Sequence, residues 1–218
     1  MNARDEILAR IRDGLRDAEP PPAQGPSSTA APGDLESHAE RVSAFCRHLT
    51  AAEGRVRMVA DEEQAAAALR EIVEKAGAAK IALSDAPLVQ RLAGALDTVD
   101  LVEASNRAGL LEADLGVSGA QHAIAETGTL VLETRREQNR LVSLLPPLHV
   151  AVLHADDLLA TLGDALAAVS KEGLSRGVTF ITGPSRTADI ELVLVVGVHG
   201  PRELHVILID PRHEETAN

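Results

Sequence analysis

Two short segments in the second half of the chain carry the residue types best suited to binding a small anion. The first is Glu126-Thr127-Gly128-Thr129, where a glycine between two threonines predicts a tight turn with backbone N–H groups and two hydroxyls on one side. Such a turn suits phosphate or carboxylate oxygens. Glu126 adds a carboxylate that can act as a nucleophile or a base if it is desolvated. An ordinary β-turn with a solvated glutamate fits the same pattern.

The second segment reads GPSRTADIE, residues 183–191. The apolar run before it predicts a strand that ends at Gly183-Pro184. A helix after it would place Ser185 or Thr187 at a helix N-terminus, where unpaired N–H groups attract anions. Arg186 can clamp the same anion through its guanidinium, and plain helix capping with an exposed arginine is the alternative. We predict that both segments converge on one pocket, with backbone amides and Arg186 facing the ligand.

Three further residues complete the candidate ligand site: Asp189, Arg140 and His199. Asp189 belongs to the second segment, and His199 lies in a tight turn, where a single histidine is more often structural than catalytic. Arg140 belongs to a small basic cluster with Arg135 and Arg136. This cluster follows the first segment closely, and a solvated loop is its other interpretation.

Motifs for several other chemistries are missing from the sequence. It contains no G-x-G-x-x-G, no G-x-x-x-x-G-K-[ST], no H-E-x-x-H and no G-x-S-x-G. The histidines show no metal-ligand spacing. Cys46 is the single cysteine, so this chain alone cannot build an all-cysteine zinc or iron–sulfur site. We therefore expect no metal and no cofactor in this chain.

Composition argues against nucleic acids and membranes as partners. The formal net charge of −12 repels phosphate backbones and anionic lipid surfaces. Phe45 and Phe180 are the only aromatics, so the core must be aliphatic and no platform exists for stacking bases. No apolar stretch is long enough to span a membrane, and the charged N-terminus is unlike a secretory signal. We expect a soluble, cytoplasmic protein.

The elements that must position these residues begin with an N-terminal arm. Residues 1–17 predict an amphipathic helix because Ile7, Leu8, Ile11 and Leu15 share one face. Residues 18–34 have the Pro/Gly/Ser-rich composition of a linker. A single domain is expected over residues 35–212, with a tail at 213–218. Whether the first helix docks on its own domain or on a partner stays open.

From residue 35 onward, helices and strands alternate. The patterns predict helices at 35–53, 62–76 with Asp61 as its cap, 87–96 opened by Asp85 and Pro87, and about 106–112; they predict strands at 55–60, 80–83 and 99–102. Strands that alternate with helices of this length indicate βαβ units and a largely parallel, covered sheet.

The second half is more crowded. Short apolar runs at 115–117, 123–125, 130–133, 142–145 and 149–154 leave little room for helices and predict an antiparallel excursion. Asp156 and Asp157 are expected to open a helix that ends near Lys171. Apolar runs follow at 178–182, 192–198 and 204–209, and the middle one fits either a strand or a helix. The fold class is therefore α/β, a three-layer α/β/α arrangement with a mostly parallel sheet plus antiparallel strands.

Three longer stretches contain these segments: GVSGAQHAIAETGTLVLET, LVSLLPPLHVAVL and FITGPSRTADIELVLVVGVHGPRELHVILID. Together they resemble the lactate utilization protein C family, whose domain is also called the LUD domain. The resemblance covers residues 35–210 and is densest from 114. It implies a fold of the ribose-5-phosphate isomerase, glucosamine-phosphate deaminase and CoA-transferase type. It also implies a bacterial system that oxidises L-lactate to pyruvate, whose partner subunits carry iron–sulfur clusters, and it supplies no established catalytic residues.

Three functional hypotheses follow. The first, which we favour, is an accessory or regulatory component of an iron–sulfur lactate oxidation complex that binds a small anionic metabolite. The second is an enzyme, either a CoA-transferase in which Glu126 forms a glutamyl thioester or a sugar-phosphate enzyme. The latter is weaker, because none of the three lysines lies near the two segments. The third is a sensor that binds an anion without turnover. The oligomeric state stays open.

Overall fold

The computed structural model of the protein describes residues 3–16, 35–134, 140–171, 173, 175–188, 194–196 and 200–213. The helices are α1 (Ala3–Leu15), α2 (His38–Ala51), α3 (Glu62–Ala76), α4 (Pro87–Ala93), α5 (Arg107–Glu112) and α6 (Leu162–Lys171). The strands are β1 (Arg55–Val59), β2 (Lys80–Leu83), β3 (Asp100–Glu103), β4 (Leu115–Gly119), β5 (His122–Ile124), β6 (Thr129–Glu133), β7 (Leu148–His154), β8 (Leu158–Leu159), β9 (Val178–Ile181), β10 (Arg186–Ala188), β11 (Leu194–Val196) and β12 (Glu203–Ile209). Two 3-10 turns lie at Arg140–Ser143 and Ala155–Asp157.

The strands form one large parallel sheet and two smaller sheets. The large sheet has the order β1-β12-β7-β4-β2-β3, and all its neighbours run parallel. The second sheet has the order β8-β5-β6-β9, in which β6 is antiparallel to both of its neighbours. Strands β10 and β11 form an antiparallel pair. The predicted α/β class, with a mostly parallel sheet and an antiparallel excursion in the second half, is confirmed.

The core lies on both faces of the large sheet. On one face, Leu69 of α3 and Val89 of α4 pack against the sheet residues Ile81, Val150 and Ile207. On the other face, helix α2 and the second sheet cover the strands, through Phe45, Leu49, Leu130, Leu132, Leu153 and Leu208. Phe45 is fully buried, and Phe180 remains 41% exposed, so the described core is aliphatic apart from one ring.

Local capping explains where the central helices begin and end. Asp61 accepts a hydrogen bond from the N–H of Gln64 and so caps α3, as predicted. Gly77 then ends α3 in the left-handed conformation. Helix α4 begins at Pro87, but the expected cap from Asp85 is wrong, because Ala86 occupies the cap position without a side-chain bond.

Three expectations about second-half elements are wrong. The run 142–145 is not a strand, because it overlaps a 3-10 turn and runs into Pro146-Pro147, which cannot donate to a sheet. Asp156 and Asp157 do not open a helix. The chain first adds β8 beside β5, and α6 begins later, at Leu162 after a cap by Thr161. The helix expected after Gly183-Pro184 is strand β10 instead.

Helix α1 lies outside the described core. Ile7 and Ile11 are 56% and 52% exposed, and Leu8 is also exposed. The expected linker and most of the C-terminal tail fall on residues 17–34 and 214–218, outside the described part of the chain. None of the helices described has the length and apolar content that crossing a bilayer requires.

Candidate functional site

The first predicted segment is the turn that joins β5 to β6, and it rests on the last turn of α2. Gly128 has a φ of 67°, and a Cβ there would lie 2.3 Å from the backbone nitrogen of Leu49. The ring of His48 makes a 2.9 Å hydrogen bond to the carbonyl oxygen of Ala125. The glycine is therefore required by the left-handed turn and by the approach of α2, and no room for a ligand atom is left beside it.

Glu126 is engaged as a helix cap. Its Oε1 accepts a 2.7 Å hydrogen bond from the backbone N–H of Leu162, the first residue of α6. A carboxylate at this position accepts a hydrogen bond from an N–H that has no partner within the helix. Its negative charge is also stabilised by the positive end of the helix dipole. This structural role engages one of the two carboxylate oxygens of Glu126.

The second predicted segment packs on the same end of α2. Gly183 has a φ of 79°, and a Cβ there would lie 2.2 Å from the carbonyl oxygen of Ala52. Arg186 donates to that same carbonyl at 3.3 Å and pairs with Glu53 at 3.1 Å. Arg186 therefore caps the C-terminus of α2, where a cation is favourable.

The remaining described residues of the second segment lie in β10 or directly before it. The N–H of Ser185 donates to the carbonyl of Pro201 at 2.8 Å, and Pro184 is buried. Thr187 lies within β10 and not at a helix N-terminus. The prediction that a helix dipole attracts an anion to Ser185 or Thr187 is therefore wrong. Asp189 and His199 lie outside the described residues.

The two segments do meet. Thr127 and Thr129 share a 2.7 Å hydroxyl contact, and Thr129 contacts the hydroxyl of Thr182, just before Gly183, at 2.7 Å. At Gly128 and Gly183 the space is filled by the backbone of α2 and not by an open cleft. The two segments therefore lie side by side and form a joint between α2 and the second sheet, and the ligand pocket stays a prediction.

A different cluster of buried polar residues lies between the two sheets, and we call it the interlayer site. It consists of Ser118, Glu133, Arg140, Ser143 and His149. All except Arg140 are buried, with exposures of 1%, 7%, 2% and 1% for Ser118, Glu133, Ser143 and His149. Ser118, Glu133, Arg140 and Ser143 line a cavity of about 10 Å³ together with Thr134 and Thr179. Such a cavity holds about one water molecule.

Ser118 and His149 form the buried end of the interlayer site. The hydroxyl of Ser118 donates to the carbonyl of Gly119 at 3.0 Å, and it lies 2.8 Å from Nε2 of His149. The hydrogen-bond pattern therefore assigns the ring proton to Nε2, which donates to Ser118. Nδ1 of His149 is then a buried acceptor with no described partner. Burial lowers the pKa of His149 to about 4, so the ring is neutral at pH 7.

Arg140 forms the exposed end of the interlayer site. It opens the 3-10 turn, and its carbonyl accepts the Ser143 hydroxyl at 2.9 Å. Among the residues described, none pairs with its guanidinium. An exposed guanidinium beside several hydroxyls can bind a carboxylate or a phosphate.

Of this site, only Arg140 was predicted from the sequence. Ser118, Glu133, Ser143 and His149 were missed. The signal for two of them was a polar residue within an otherwise apolar strand, Ser118 in LGVSG and His149 in LHVAVLH. Strands of a covered parallel sheet are near-continuous apolar runs, so a polar residue there requires a partner.

A second polar group lies at the carboxyl ends of β7 and β12. Nε2 of His38 lies 3.0 Å from a carboxylate oxygen of Asp210, and Arg212 pairs with Asp156 at 2.8 Å. These contacts tie the start of α2 to the end of β12. Within the described part of the chain, no three His, Cys, Asp or Glu side chains are arranged to hold a metal ion.

The sequence of this chain is similar to those of several known proteins. The model of the LUD domain matches residues 42–209. A Lactate utilization protein C from Deinococcus radiodurans is 43% identical over 108 residues, 48% of this chain and 50% of the relative. Another from Anoxybacillus flavithermus is 37% identical over 113 residues, 52% of this chain and 49% of the relative. Each match spans about half the length of the curated relative.

A solved structure resembles most of this chain. It is a crystal structure of a DUF162 family protein from Deinococcus radiodurans, with a TM-score of 0.61 and 26% sequence identity. The alignment covers 79% of this chain and 98% of that chain. The shared architecture therefore extends well beyond the stretches that align in the curated relatives.

Proposed function

The chain belongs to the LUD domain family, and on this basis we propose that it is a cytoplasmic component of a bacterial lactate utilization system. The observation that carries the proposal is the identity of 43% and 37% to two proteins named Lactate utilization protein C. Within such a system, we assign it an accessory or regulatory role beside iron–sulfur subunits that oxidise L-lactate.

The amino-acid content supports placing the redox centres in partner subunits. Iron–sulfur clusters are held by several thiolates, typically four, and this chain has Cys46 alone. Cys46 lies in α2 and packs against the core, and burial raises the pKa of its thiol. A raised pKa disfavours the thiolate, which is the form that binds metals. We therefore assign the chain no cofactor of its own.

The interlayer site supports a small-anion ligand. Its Arg140 guanidinium is exposed, it has no partner among the described residues, and it lies beside the hydroxyls of Ser143, Thr134 and Thr179. The cavity beneath it admits only about one water, so the anion binds at the mouth, on the guanidinium. A carboxylate such as that of lactate or pyruvate matches the fork of donors that arginine offers.

Growth on L-lactate tests the pathway role. In a bacterium that carries this gene, deletion should abolish growth on L-lactate as the only carbon source, and the wild-type gene should restore it. The tagged protein should co-purify with cysteine-rich partner subunits. Unchanged growth of the deletion strain would remove the proposal.

Calorimetry tests the anion site separately. We expect L-lactate or pyruvate to bind the wild-type protein and Arg140→Ala to weaken binding at least about tenfold, as expected for the loss of one charge-assisted contact. Arg186→Ala should bind normally, because Arg186 is paired with Glu53. Arg107→Ala, which removes an exposed arginine on α5, is the neutral control. Loss of binding in Arg186→Ala but not in Arg140→Ala would move the site to the second predicted segment.

A further inference from the structure

A second cavity lies at the carboxyl ends of β2 and β3, and it shares no lining residue with the interlayer site. Its volume is about 700 Å³, within the range of small-molecule sites. Its polar lining comprises Ser84, Asp85, Gln90, Glu103 and Ser105. The apolar lining includes Leu83, Ala93 and Leu101, and Leu101 is 42% exposed. The cavity thus combines an apolar wall with a few oriented polar groups.

The cavity lies at the edge of the large sheet, where β3 is the last strand. From β2 the chain crosses through α4 to β3 at the sheet edge, and it then returns through α5 to β4 on the other side of β2. The strand order therefore reverses between β2 and β4, and the cavity lies on the other side of β2, outside the carboxyl ends of β2 and β3.

The unit β2–α4–β3 also places an acidic residue where ribose is recognised in other βαβ units. Glu103 ends β3, directly beside Leu83 at the end of β2. It follows the loop after β2 by about 20 residues, the separation at which an acidic side chain accepts hydrogen bonds from ribose hydroxyls. The hydroxyl of Ser105 contacts Oε2 of Glu103 at 3.4 Å, and Oε1 has no described partner.

The same loop is unsuited to phosphates. The glycine-rich turn that cradles a pyrophosphate is replaced by Ser84-Asp85-Ala86-Pro87. Asp85 places a carboxylate where phosphate oxygens would approach, and the described lining contains no lysine or arginine. The cavity therefore selects a ligand that carries hydroxyl donors and no phosphate, and it is chemically opposite to the anion site at Arg140.

We propose that this cavity binds the ribose of an unphosphorylated ribonucleoside, with Glu103 accepting hydrogen bonds from the sugar hydroxyls and the base packed against Leu101. The inference does not depend on the role in lactate utilization. It rests on the cavity and on the position of Glu103 at the end of β3.

Binding measurements on the full-length protein test the proposal. Adenosine, guanosine, cytidine and uridine are titrated by calorimetry and by ligand-observed NMR, and at least one should bind with a Kd below about 1 mM. The 2′-deoxy form of that nucleoside should bind at least about tenfold more weakly, because a site built around a hydroxyl rejects its absence. The 5′-monophosphate should also bind more weakly than the nucleoside. No binding by any of the four nucleosides would overturn the proposal.

Matched variants connect the binding to Glu103. Glu103→Gln keeps the shape of the side chain and should weaken nucleoside binding at least about tenfold. Asp100→Asn, at the opposite end of β3, should leave it unchanged. Both residues are exposed, so both variants are expected to fold, which thermal unfolding checks. Binding that ignores the 2′-hydroxyl or Glu103→Gln would also overturn the proposal. L-lactate binding at Arg140 should be unaffected by Glu103→Gln, so the two sites are tested apart.

Discussion

At the scale of single residues, the two motif glycines act as contact points for α2. Gly128 approaches the backbone at Leu49, and Gly183 approaches the backbone at Ala52. Both have positive φ values, so a side chain meets conformational strain as well as overlap. The residues that suggested ligand binding in the sequence are therefore the same residues that pack against α2.

Substitution of Gly128 separates strain from overlap. Gly128→Ala should reduce the free energy of unfolding by roughly 3 kcal/mol or more, since about 1–2 kcal/mol comes from the left-handed conformation and the rest from the clash with α2. Gly77→Ala is the control, because Gly77 has a φ of 61° with no atom near its Cβ position. It should cost only about 1 kcal/mol. Equal losses in urea denaturation would contradict the proposed contact with α2.

The buried His149 predicts a specific dependence of stability on pH. Its pKa is lowered to about 4 in the folded protein, from 6.5. Between these values the unfolded state binds more protons, so stability falls as the pH drops from 6.5 to 4, by about 3 kcal/mol at most. His149→Gln should flatten this part of the profile, measured by urea denaturation at several pH values. Above pH 7 the difference between the two proteins should not depend on pH.

Glu126 links two elements, the β5–β6 turn and the start of α6. Glu126→Ala removes an N-terminal cap and should destabilise the protein by about 1 kcal/mol. Glu126→Gln should recover most of this loss, because its amide oxygen can accept the same N–H of Leu162. The measurement is thermal unfolding combined with complementation of growth on L-lactate.

The two variants also decide whether Glu126 is a nucleophile. If Glu126 acts only as a helix cap, Glu126→Gln should support growth as well as the wild type does. A glutamyl thioester requires the carboxylate, so Glu126→Gln would then fold normally and fail to support growth. That second outcome would restore the CoA-transferase hypothesis.

Elements with local signals were predictable from the sequence. Helix α3 lies at the predicted residues because Asp61 and Gly77 mark its ends and its apolar residues repeat with helical spacing. Strand β2 is bounded in the same way. The start of α6 depends on the pairing of β8 with the distant strand β5, and β10 is a strand because it pairs with β11, the next strand along the chain. Such pairing overrides local preference, and a single sequence does not reveal it.

The candidate site shows the same division. Arg140 was identified because it belongs to a visible basic cluster. The hydrogen bond between Ser118 and His149 depends on the register of β4 against β7, in which His149 lies opposite Gly116, two residues from Ser118. Register is a property of the assembled sheet. The sequence marks both residues as polar exceptions, and only the fold brings them together.

At the scale of the whole molecule, the described core is complete without α1. The buried clusters on the faces of the large sheet draw on residues from Leu35 onward, and the apolar side chains Ile7, Leu8 and Ile11 of α1 are exposed. Removal of a helix that buries so little surface should change stability by less than about 0.5 kcal/mol. We therefore predict that deletion of residues 1–16 shifts Tm by less than about 2 °C.

The same truncation tests what the exposed face of α1 is for. Scanning calorimetry on residues 17–218 and on the full-length chain gives the stability, and co-purification with the proposed iron–sulfur partner subunits gives the assembly. If α1 docks on a partner, the truncated protein keeps its Tm and loses co-purification, and Ile7→Ser with Ile11→Ser in the full-length chain gives the same result. A fall in Tm of more than about 5 °C would instead show that α1 packs on its own domain, because a shift of that size corresponds to more than about 1 kcal/mol for a chain of this length.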